Sequence, residues 1–264
     1  MALTACEGLE VSLKKGLHII RFNRPNKRNA FSAQMYGHLT SLLNAAATDE
    51  RIVVTALTGT GEFYSSGNDI SASAEVIGSS NDISAAAQES TAKVRKFVSA
   101  FIDYPKMLVA VVNGPAIGIA ATTLGLCDIV YASDKAYILT PFTKLGLVPE
   151  GCSSYLFPRI MGNSKASDVL FMGEKISAYD AEKYGLVSKV FSSATFQEVV
   201  WPRLEELAQM PRQSLMASKR LVRGCIREEL HKANEKECKE LEGRFGSEES
   251  FNAVIAFMSR KSKM

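Results

Sequence analysis

Hydrophobic positions occur along the chain in two patterns, short runs and longer periodic segments. Alternating runs at 9–13 and 17–22, joined by a Lys-Lys-Gly turn, predict a β-hairpin. Uninterrupted apolar runs at 52–57 and 107–112 are typical of strands buried on both faces. Further short strands are predicted at 128–132, 136–139 and 185–191.

Apolar residues three and four positions apart predict amphipathic helices. One begins after Ser32, a residue type that caps helix N-termini, and places Met35 and Leu39 on one face. Ser177 and Asp180 form a capping box before another helix. The clearer helices predicted in this way lie at 32–48, 82–104, 118–126, 196–210, 213–225, 228–244 and 247–259.

Strands that alternate with helices predict an α/β fold whose sheet is covered on both faces. We assign residues 1–200 to this core. Residues 201–264 carry most of the alternating charge, and we expect them to form a helical C-terminal extension outside the core or against other subunits. The sequence contains neither a tandem repeat nor a long linker, so it does not indicate a second compact domain.

Composition narrows the class of protein. Of the 264 residues 46% are hydrophobic, and 31 basic residues nearly balance 28 acidic ones, so the total charge does not indicate binding to nucleic acid or to a membrane surface. The uncharged stretch 107–126 has the length of a membrane span, but an Asn-Gly-Pro turn divides it into a strand and a helix. Five scattered cysteines indicate free thiols in a reducing compartment, and we expect no metal site.

Several familiar catalytic motifs are missing from the sequence. The three histidines, His18, His38 and His231, lie in a predicted strand and two helices, where structural roles are the simpler interpretation. Neither a Gly-x-Ser-x-Gly elbow nor a His-Glu-x-x-His motif occurs. Gly59 follows a strand, but Tyr64 stands where a dinucleotide-binding fingerprint needs its third glycine.

Two glycine-rich turns and one carboxylate remain as candidate chemistry. The turns SSGNDI at 65–70 and GPAIGIA at 114–120 each follow a buried strand, and their N–H groups can form an oxyanion hole, although the glycines also fit ordinary tight turns. Glu150 lies between a proline and a glycine in the apolar segment GLVPEGCSS. A carboxylate there fits either the capping of a helix N-terminus or a buried catalytic base.

Four blocks of the sequence carry a resemblance. They are IIRFNRPNKRNAF, LTGTGEFYSSGNDI, the segment from YPKMLVAVVNGPAIGIA to GLVPEGCSS, and ASDVLFMGEKISAYDAEKYGLVSKVF. In this order and spacing they resemble the crotonase (enoyl-CoA hydratase/isomerase) family. The resemblance implies a crotonase-like spiral of ββα units, with residues 201–264 as the trimerisation region of a homotrimer or hexamer. It also implies an acyl-CoA thioester as ligand and no separate cofactor, because coenzyme A is part of the substrate.

The same resemblance assigns roles to particular residues. The N–H groups of Asn68 and Ile119 correspond to the oxyanion hole. Hydratases of the family activate water with two glutamates, which are replaced here by Thr122 and Phe142, so water addition is not expected. Glu150 matches the single glutamate of the 3-enoyl-CoA isomerases in the family, and an apolar pocket would raise its pKa and strengthen it as a base.

The resemblance further implies a substrate-binding surface along the glycine-rich loops. Lys27 and Arg28 would meet the phosphates of coenzyme A, although a solvated basic loop is an equal alternative. Asp69 would line the pocket or do no more than hold its loop. The predicted substrate-binding residues are Lys27, Arg28, Ala30, Ser66, Gly67, Asn68, Asp69, Ile70, Phe142 and Leu147.

The resulting prediction is an isomerase that moves a cis or trans double bond of 3-enoyl-CoA to the trans-2 position in β-oxidation of unsaturated fatty acids, with Glu150 transferring the proton. Alternatives are a dienoyl-CoA isomerase or weak hydratase, and a non-catalytic acyl-CoA-binding or corepressor module. Ser262, Lys263 and Met264 resemble a peroxisomal import signal. We therefore expect an import receptor as partner and a peroxisomal rather than a mitochondrial location, since the N-terminus has no Arg-rich amphipathic leader.

Overall fold

The computed structural model of the chain describes residues 7–70, 82–245 and 247–261. The strands are β1 Leu9–Lys14, β2 Leu17–Phe22, β3 Val54–Gly59, β4 Met107–Val112, β5 Ala116–Ile117, β6 Ile129–Ser133, β7 Tyr137–Leu139, β8 Ile176–Ser177 and β9 Lys189–Phe191. The α-helices are α1 Ala33–Thr48, α2 Ile83–Ile102, α3 Ile119–Thr122, α4 Ser153–Met161, α5 Asn163–Leu170, α6 Ala178–Lys183, α7 Phe196–Leu207, α8 Arg212–Gly224, α9 Arg227–Arg244 and α10 Glu248–Lys261. Short 3-10 helices lie at Pro25–Lys27, Thr123–Leu126 and Thr143–Leu145.

Two sheets organise the described part of the chain. The larger sheet has the order β1-β2-β3-β4-β6-β9, in which β1 and β2 form an antiparallel hairpin and the other neighbours are parallel. In the smaller sheet β7 pairs with β5 in parallel and with β8 in antiparallel orientation. The predicted hairpin and α/β class are confirmed. The sequence pattern did not predict strands β5 and β8, because each has two residues, which are too few to show an alternating pattern.

Strand β4 explains why the central strands are uninterrupted apolar runs. Leu108 and Ala110 face the main core, which also contains residues of α1 and α2. Val109 and Val111 face a second cluster on the opposite side of the sheet, where Phe196 of α7 covers them. Side chains alternate between the two faces of a strand, so a strand covered on both faces needs apolar residues at every position.

The loops that follow β3 and β4 are joined to each other. Asn113, directly after β4, accepts a hydrogen bond from the backbone N–H of Gly59 at 2.9 Å and donates one to the carbonyl of Gly61 at 2.8 Å. The N–H of Ile117 donates to the carbonyl of Ser65 at 3.0 Å. The carboxyl ends of neighbouring parallel strands meet at one edge of a sheet, which is where ligands bind in α/β folds.

Helix α9 corrects one expectation about the C-terminal tail. Leu230, Ala233 and Cys238 belong to the main core, and Asn234 donates to the carbonyl of Arg95 in α2 at 3.0 Å. The expectation that the charged tail lies outside the core is therefore wrong for this helix. The apolar stripe of α9 is narrow, and charged residues separate its members along the sequence. The segment is therefore polar on average, and the sequence pattern did not indicate a buried face.

The uncharged stretch 107–126 folds as β4, β5, α3 and a 3-10 helix. Within the described ranges, no helix combines the length and the apolar character that crossing a membrane requires.

Candidate active site

The two glycine-rich loops touch each other beside an open space. Gly67 has φ of 77°, and a Cβ added there would come 2.5 Å from the carbonyl oxygen of Ile117 and 3.5 Å from the Cα of Gly118. Gly118 has φ of 59°, yet a Cβ added there would meet no atom within 4 Å. Glycine at position 67 is thus required by close backbone approach, and the main chain at Gly118 borders a cleft.

The N–H groups of Asn68 and Ile119 lie on these loops, and neither has an acceptor among the hydrogen bonds of the described residues. Phe31 donates to the carbonyl of Gly67, and the N–H of Asp69 donates to Phe31, so the N–H of Asn68 is directed away from this bridge. Ile119 is the first residue of α3, whose N–H has no acceptor within its own helix. Two donors on touching loops suit an oxyanion hole, and this role remains a prediction.

Glu150 is a buried carboxylate, with 4% of the residue exposed. Its Oε2 atom has no hydrogen-bond partner among the described residues. Burial, and to a smaller extent the negative charge of Glu237, raises the pKa of Glu150 to about 8. A carboxyl group with this pKa exchanges a proton readily near neutral pH.

Gly151 connects the Glu150 turn to the second loop. A Cβ added to Gly151 would lie 2.4 Å from Oγ1 of Thr122 and 3.3 Å from Cδ1 of Ile119. The Pro-Glu-Gly turn therefore packs directly on α3, whose first N–H is the second predicted oxyanion donor. The structure thus brings Glu150 and Ile119, which are distant in the sequence, to neighbouring positions.

Tyr36 connects the Glu150 region to the first loop, and the sequence reasoning missed it. Its hydroxyl donates a short hydrogen bond to Oδ1 of Asn68. Burial raises the pKa of Tyr36, and the negative charge of Glu150 raises it further. Tyr36 lies on the buried face of α1, where an aromatic residue is ordinarily read as core, so no sequence signal distinguished it.

The capping interpretation of Glu150 is wrong, because a different carboxylate caps the helix that follows. Helix α4 begins at Ser153, and the N–H groups of Cys152 and Ser154 donate to Glu237 at 2.7 and 2.8 Å. Burial raises the pKa of Glu237 to about 7, and these two hydrogen bonds oppose the increase. Glu237 was missed because it stands in a run of charged residues on α9 that predicts a solvated face.

The two positions at which a hydratase is expected to carry glutamate hold Thr122 and Phe142 in this chain. Thr122 is fully buried, and its hydroxyl donates to the carbonyl of Ile119 at 3.2 Å. Phe142 is also buried. Neither side chain can accept a proton from water at neutral pH.

The predicted coenzyme A contacts divide into exposed and structural residues. Lys27 and Arg28 are exposed, and the guanidinium of Arg28 lies 5.3 Å from the ring centroid of Phe63. The N–H of Ser66 donates to the carbonyl of Arg28 at 2.9 Å, which joins the basic loop to the SSGNDI loop. This geometry leaves both basic side chains accessible to a ligand.

Asp69 holds its loop, as one of the two interpretations proposed. Its carboxylate pairs with Arg24 at 3.2 Å, and the same guanidinium donates to the carbonyl of the buried residue Ala30 at 2.6 Å. Leu147 is half-buried against the main core, and Ile70 is half-buried at the end of the described loop.

The remaining candidates fit structural roles. His18 is buried and lies 3.1 Å from the hydroxyl of Thr55, and burial lowers its pKa to about 4. His38 is exposed, and His231 lies 2.9 Å from Asp103. In the part of the chain that the structure describes, no three His, Cys, Asp or Glu residues are grouped so that they could hold a metal ion. The predicted import signal at 262–264 lies outside the described residues.

Comparison with known proteins places the chain among relatives of known class. Residues 12–263 match the model of the enoyl-CoA hydratase/isomerase family. The chain is 47% identical over 261 residues to enoyl-CoA delta isomerase 2 of Homo sapiens, which covers 99% of this chain and 66% of that protein. It is 44% identical over 253 residues to enoyl-CoA delta isomerase 3, peroxisomal, of Mus musculus, which covers 96% of this chain and 78% of that protein.

A protein named after a chromodomain and a bacterial structure are also similar to the chain. Chromodomain Y-like protein of Mus musculus is 36% identical over 247 residues, which are 92% of this chain and 41% of that protein. The crystal structure of an enoyl-CoA hydratase/isomerase from Pseudoalteromonas atlantica T6c superposes with a TM-score of 0.86 at 32% identity, and covers 96% of this chain and 97% of that one. The chain therefore matches nearly all of the bacterial protein but spans just under two thirds of the human relative.

Proposed function

Since this chain belongs to the enoyl-CoA hydratase/isomerase family, we propose that it moves the double bond of 3-enoyl-CoA to the trans-2 position. The family match confirms the resemblance carried by the four sequence blocks, together with the crotonase fold. Two relatives at 47% and 44% identity are named enoyl-CoA delta isomerases, which supports isomerisation over the other reactions considered. The observation that carries the proposal is the buried carboxylate of Glu150, whose Oε2 has no hydrogen-bond partner among the described residues.

One base is sufficient for this reaction. Moving a double bond from C3 to C2 removes a proton from C2 and returns one to C4 of a planar dienolate. In the proposed mechanism Glu150 removes the first proton, holds it, and delivers it to C4 on the same face. A carboxylate whose pKa is about 8 is a stronger base than an ordinary glutamate and releases its proton again near neutral pH.

The developing negative charge of the thioester oxygen would be stabilised by the N–H groups of Asn68 and Ile119. Backbone donors that the fold holds in place need no reorganisation when the charge develops, and one such donor typically contributes about 2.7–4 kcal/mol to transition-state stabilisation. Thr122 and Phe142, in the positions where hydratases carry glutamates, supply no group that activates water. Water addition is therefore a minor reaction in this proposal.

We also propose the ligand surface, assembly and location expected from the sequence. The exposed cations Lys27 and Arg28 suit the phosphates of coenzyme A. Helix α8 exposes Leu221 and Val222 by 81% and 73%, which suits contact with further subunits in a trimer or hexamer. A peroxisomal location is supported by the name of the mouse relative.

The test is conversion of 3-enoyl-CoA to 2-enoyl-CoA, followed by the absorbance of the conjugated thioester. We expect the wild-type protein to turn over and Glu150→Gln to lose about two to four orders of magnitude in kcat while it still binds a CoA ligand. Glu240→Gln, an exposed glutamate on α9, is the control and should retain full activity.

The other outcomes separate the alternatives. Equal activity of wild type and Glu150→Gln would show that the base lies elsewhere. Formation of 3-hydroxyacyl-CoA from 2-enoyl-CoA at a comparable rate would identify a hydratase. A wild-type protein that binds acyl-CoA without turnover would favour a binding module.

A further inference from the structure

Glu237 reaches the Glu150 turn from a distant helix. Its two carboxylate oxygens accept from different N–H groups, Oε2 from Cys152 at 2.7 Å and Oε1 from Ser154 at 2.8 Å. Only 6% of the residue is exposed. A buried carboxylate bonded to two N–H groups at the start of a helix is held in one geometry, because both hydrogen bonds are charge-assisted and the helix dipole favours negative charge there.

A second contact joins the same turn to the same helix. The thiol of Cys152 donates to the carbonyl of Leu230 at 3.3 Å. Cys152 has φ of 61°, a left-handed conformation that non-glycine residues adopt at a cost. Contacts from α9 thus hold a turn that contains a non-glycine residue in the unfavourable left-handed conformation.

Both oxygens of Glu237 accept backbone hydrogen bonds, so this carboxylate is held against the turn. Glu150 differs in that its Oε2 has no partner within the described residues. One buried carboxylate is therefore available for chemistry, and the second is committed to the backbone that carries the first.

The charge of Glu237 also acts on Glu150. The negative charge of Glu237 disfavours ionisation of Glu150 and so adds to the effect of burial in raising its pKa. The titratable groups around Glu150 are Tyr36 of α1, Cys152 of its own turn, Glu237 and Cys238 of α9 and, acting on Cys238, Arg95 of α2. Among them Glu237 is the group whose charge raises the pKa of Glu150.

We propose that Glu237 is a positioning residue for Glu150, which holds the Pro-Glu-Gly turn by two backbone hydrogen bonds and keeps a negative charge beside the base. The kinetic part of this inference rests on the proposed function. The electrostatic part does not, because it concerns only the titration of Glu150.

The experiment compares Glu237→Gln, Glu237→Asp and Glu240→Gln with the wild type. The pH dependence of kcat/KM for 3-enoyl-CoA gives the apparent pKa of the base in the free enzyme. Infrared difference spectroscopy on the ligand-free protein follows the protonated-carboxyl band that is lost in Glu150→Gln, and gives the pKa of Glu150 without any substrate.

Glutamine removes the charge and replaces one acceptor by an NH2 group, so one N–H of the turn loses its partner. For Glu237→Gln we expect both midpoints to fall by about one pH unit and kcat on the high-pH plateau to fall roughly tenfold, with little change in KM. Aspartate retains the charge but is one methylene shorter. Glu237→Asp should therefore lower kcat and leave the midpoints near the wild-type values, and Glu240→Gln should change neither.

Unchanged midpoints in Glu237→Gln, or an equal shift in Glu240→Gln, would overturn the proposal. If Glu237→Gln does not fold, Glu237→Asp decides, because a midpoint that falls in a variant with the charge retained contradicts the electrostatic part. If the wild type has no isomerase activity but the infrared midpoint still falls in Glu237→Gln, the proposed function fails and the influence of Glu237 on Glu150 stands.

Discussion

The Pro-Glu-Gly turn and helix α9 each bury one glutamate, and the two carboxylates differ in what surrounds them. Glu237 accepts hydrogen bonds from the N–H groups of Cys152 and Ser154, whereas Oε2 of Glu150 has no partner among the described residues. Burial raises the pKa of both groups, to about 7 for Glu237 and to about 8 for Glu150. Burial alone therefore does not distinguish the proposed base from the capping carboxylate, whereas the unused hydrogen-bonding capacity of Glu150 among the described residues does.

Shortening each carboxylate by one methylene is the change that should separate the two glutamates most. A base must reach the reacting carbon, and a displacement of about 1 Å can cost about 100-fold in rate. We expect Glu150→Asp to lose roughly 100- to 1000-fold in kcat, and Glu237→Asp to lose roughly tenfold. Steady-state kinetics with 3-enoyl-CoA measures both losses, and similar losses in the two variants would show that the two carboxylates do not have different roles.

The stability of the protein should depend on pH through Glu150. Its pKa is raised from 4.5 to about 8, so its contribution to stability is fully present below pH 4.5 and is lost as the pH rises through 8. Relative to Glu150→Gln, we expect the free energy of unfolding of the wild type to fall by roughly 1 kcal/mol per pH unit between these two values.

Urea unfolding of both proteins at several pH values measures this difference. Glu237 acts in the same direction up to about pH 7, and His18, with a pKa lowered to about 4, acts in the opposite direction below about pH 6.5. Both groups are present in both proteins, so the comparison isolates Glu150 to a first approximation. Parallel curves for the two proteins would show that Glu150 titrates normally.

Removing the hydroxyl of Tyr36 tests whether activity depends on the hydrogen bond from this hydroxyl to the side chain of Asn68. Tyr36→Phe leaves Oδ1 of Asn68 without this donor, and the loss of one buried hydrogen bond costs about 1 kcal/mol. We expect kcat/KM to fall about tenfold, while Tyr179→Phe, at a residue that is 60% exposed, should have no effect. A Tyr36→Phe enzyme with wild-type kinetics would assign the tyrosine to packing alone.

A further effect, on stability rather than on rate, concerns the Arg24–Asp69 ion pair beneath the same loop. Arg24 and Asp69 are 22% and 13% exposed in their side chains, and Arg24 also supports the carbonyl of Ala30. Arg24→Gln should lower the free energy of unfolding by about 1–2 kcal/mol. Arg51→Gln, which breaks a pair whose arginine is 66% exposed, should change the free energy of unfolding much less. Thermal or urea unfolding compares them, and equal effects would show that the position of the pair is unimportant.

The sequence was most informative where one local pattern has one structural outcome. Ser32 caps α1 by accepting from the N–H of Met35, and Ser177 caps α6 by accepting from Asp180, both as predicted. Strand β4 occupies the predicted residues 107–112. These elements depend on nearest neighbours and on burial, which residue order records directly.

The sequence alone therefore determined the class of fold, the glycine-rich loops and the candidate carboxylate Glu150, because side-chain periodicity and turn chemistry are local properties. The tertiary structure decided which carboxylate caps α4, that Tyr36 bonds Asn68, and that the charged helix α9 carries a buried residue of the site. Those contacts join residues far apart in the chain. Their energies come from burial and hydrogen bonding in three dimensions, which no local pattern around Glu237 or Tyr36 records.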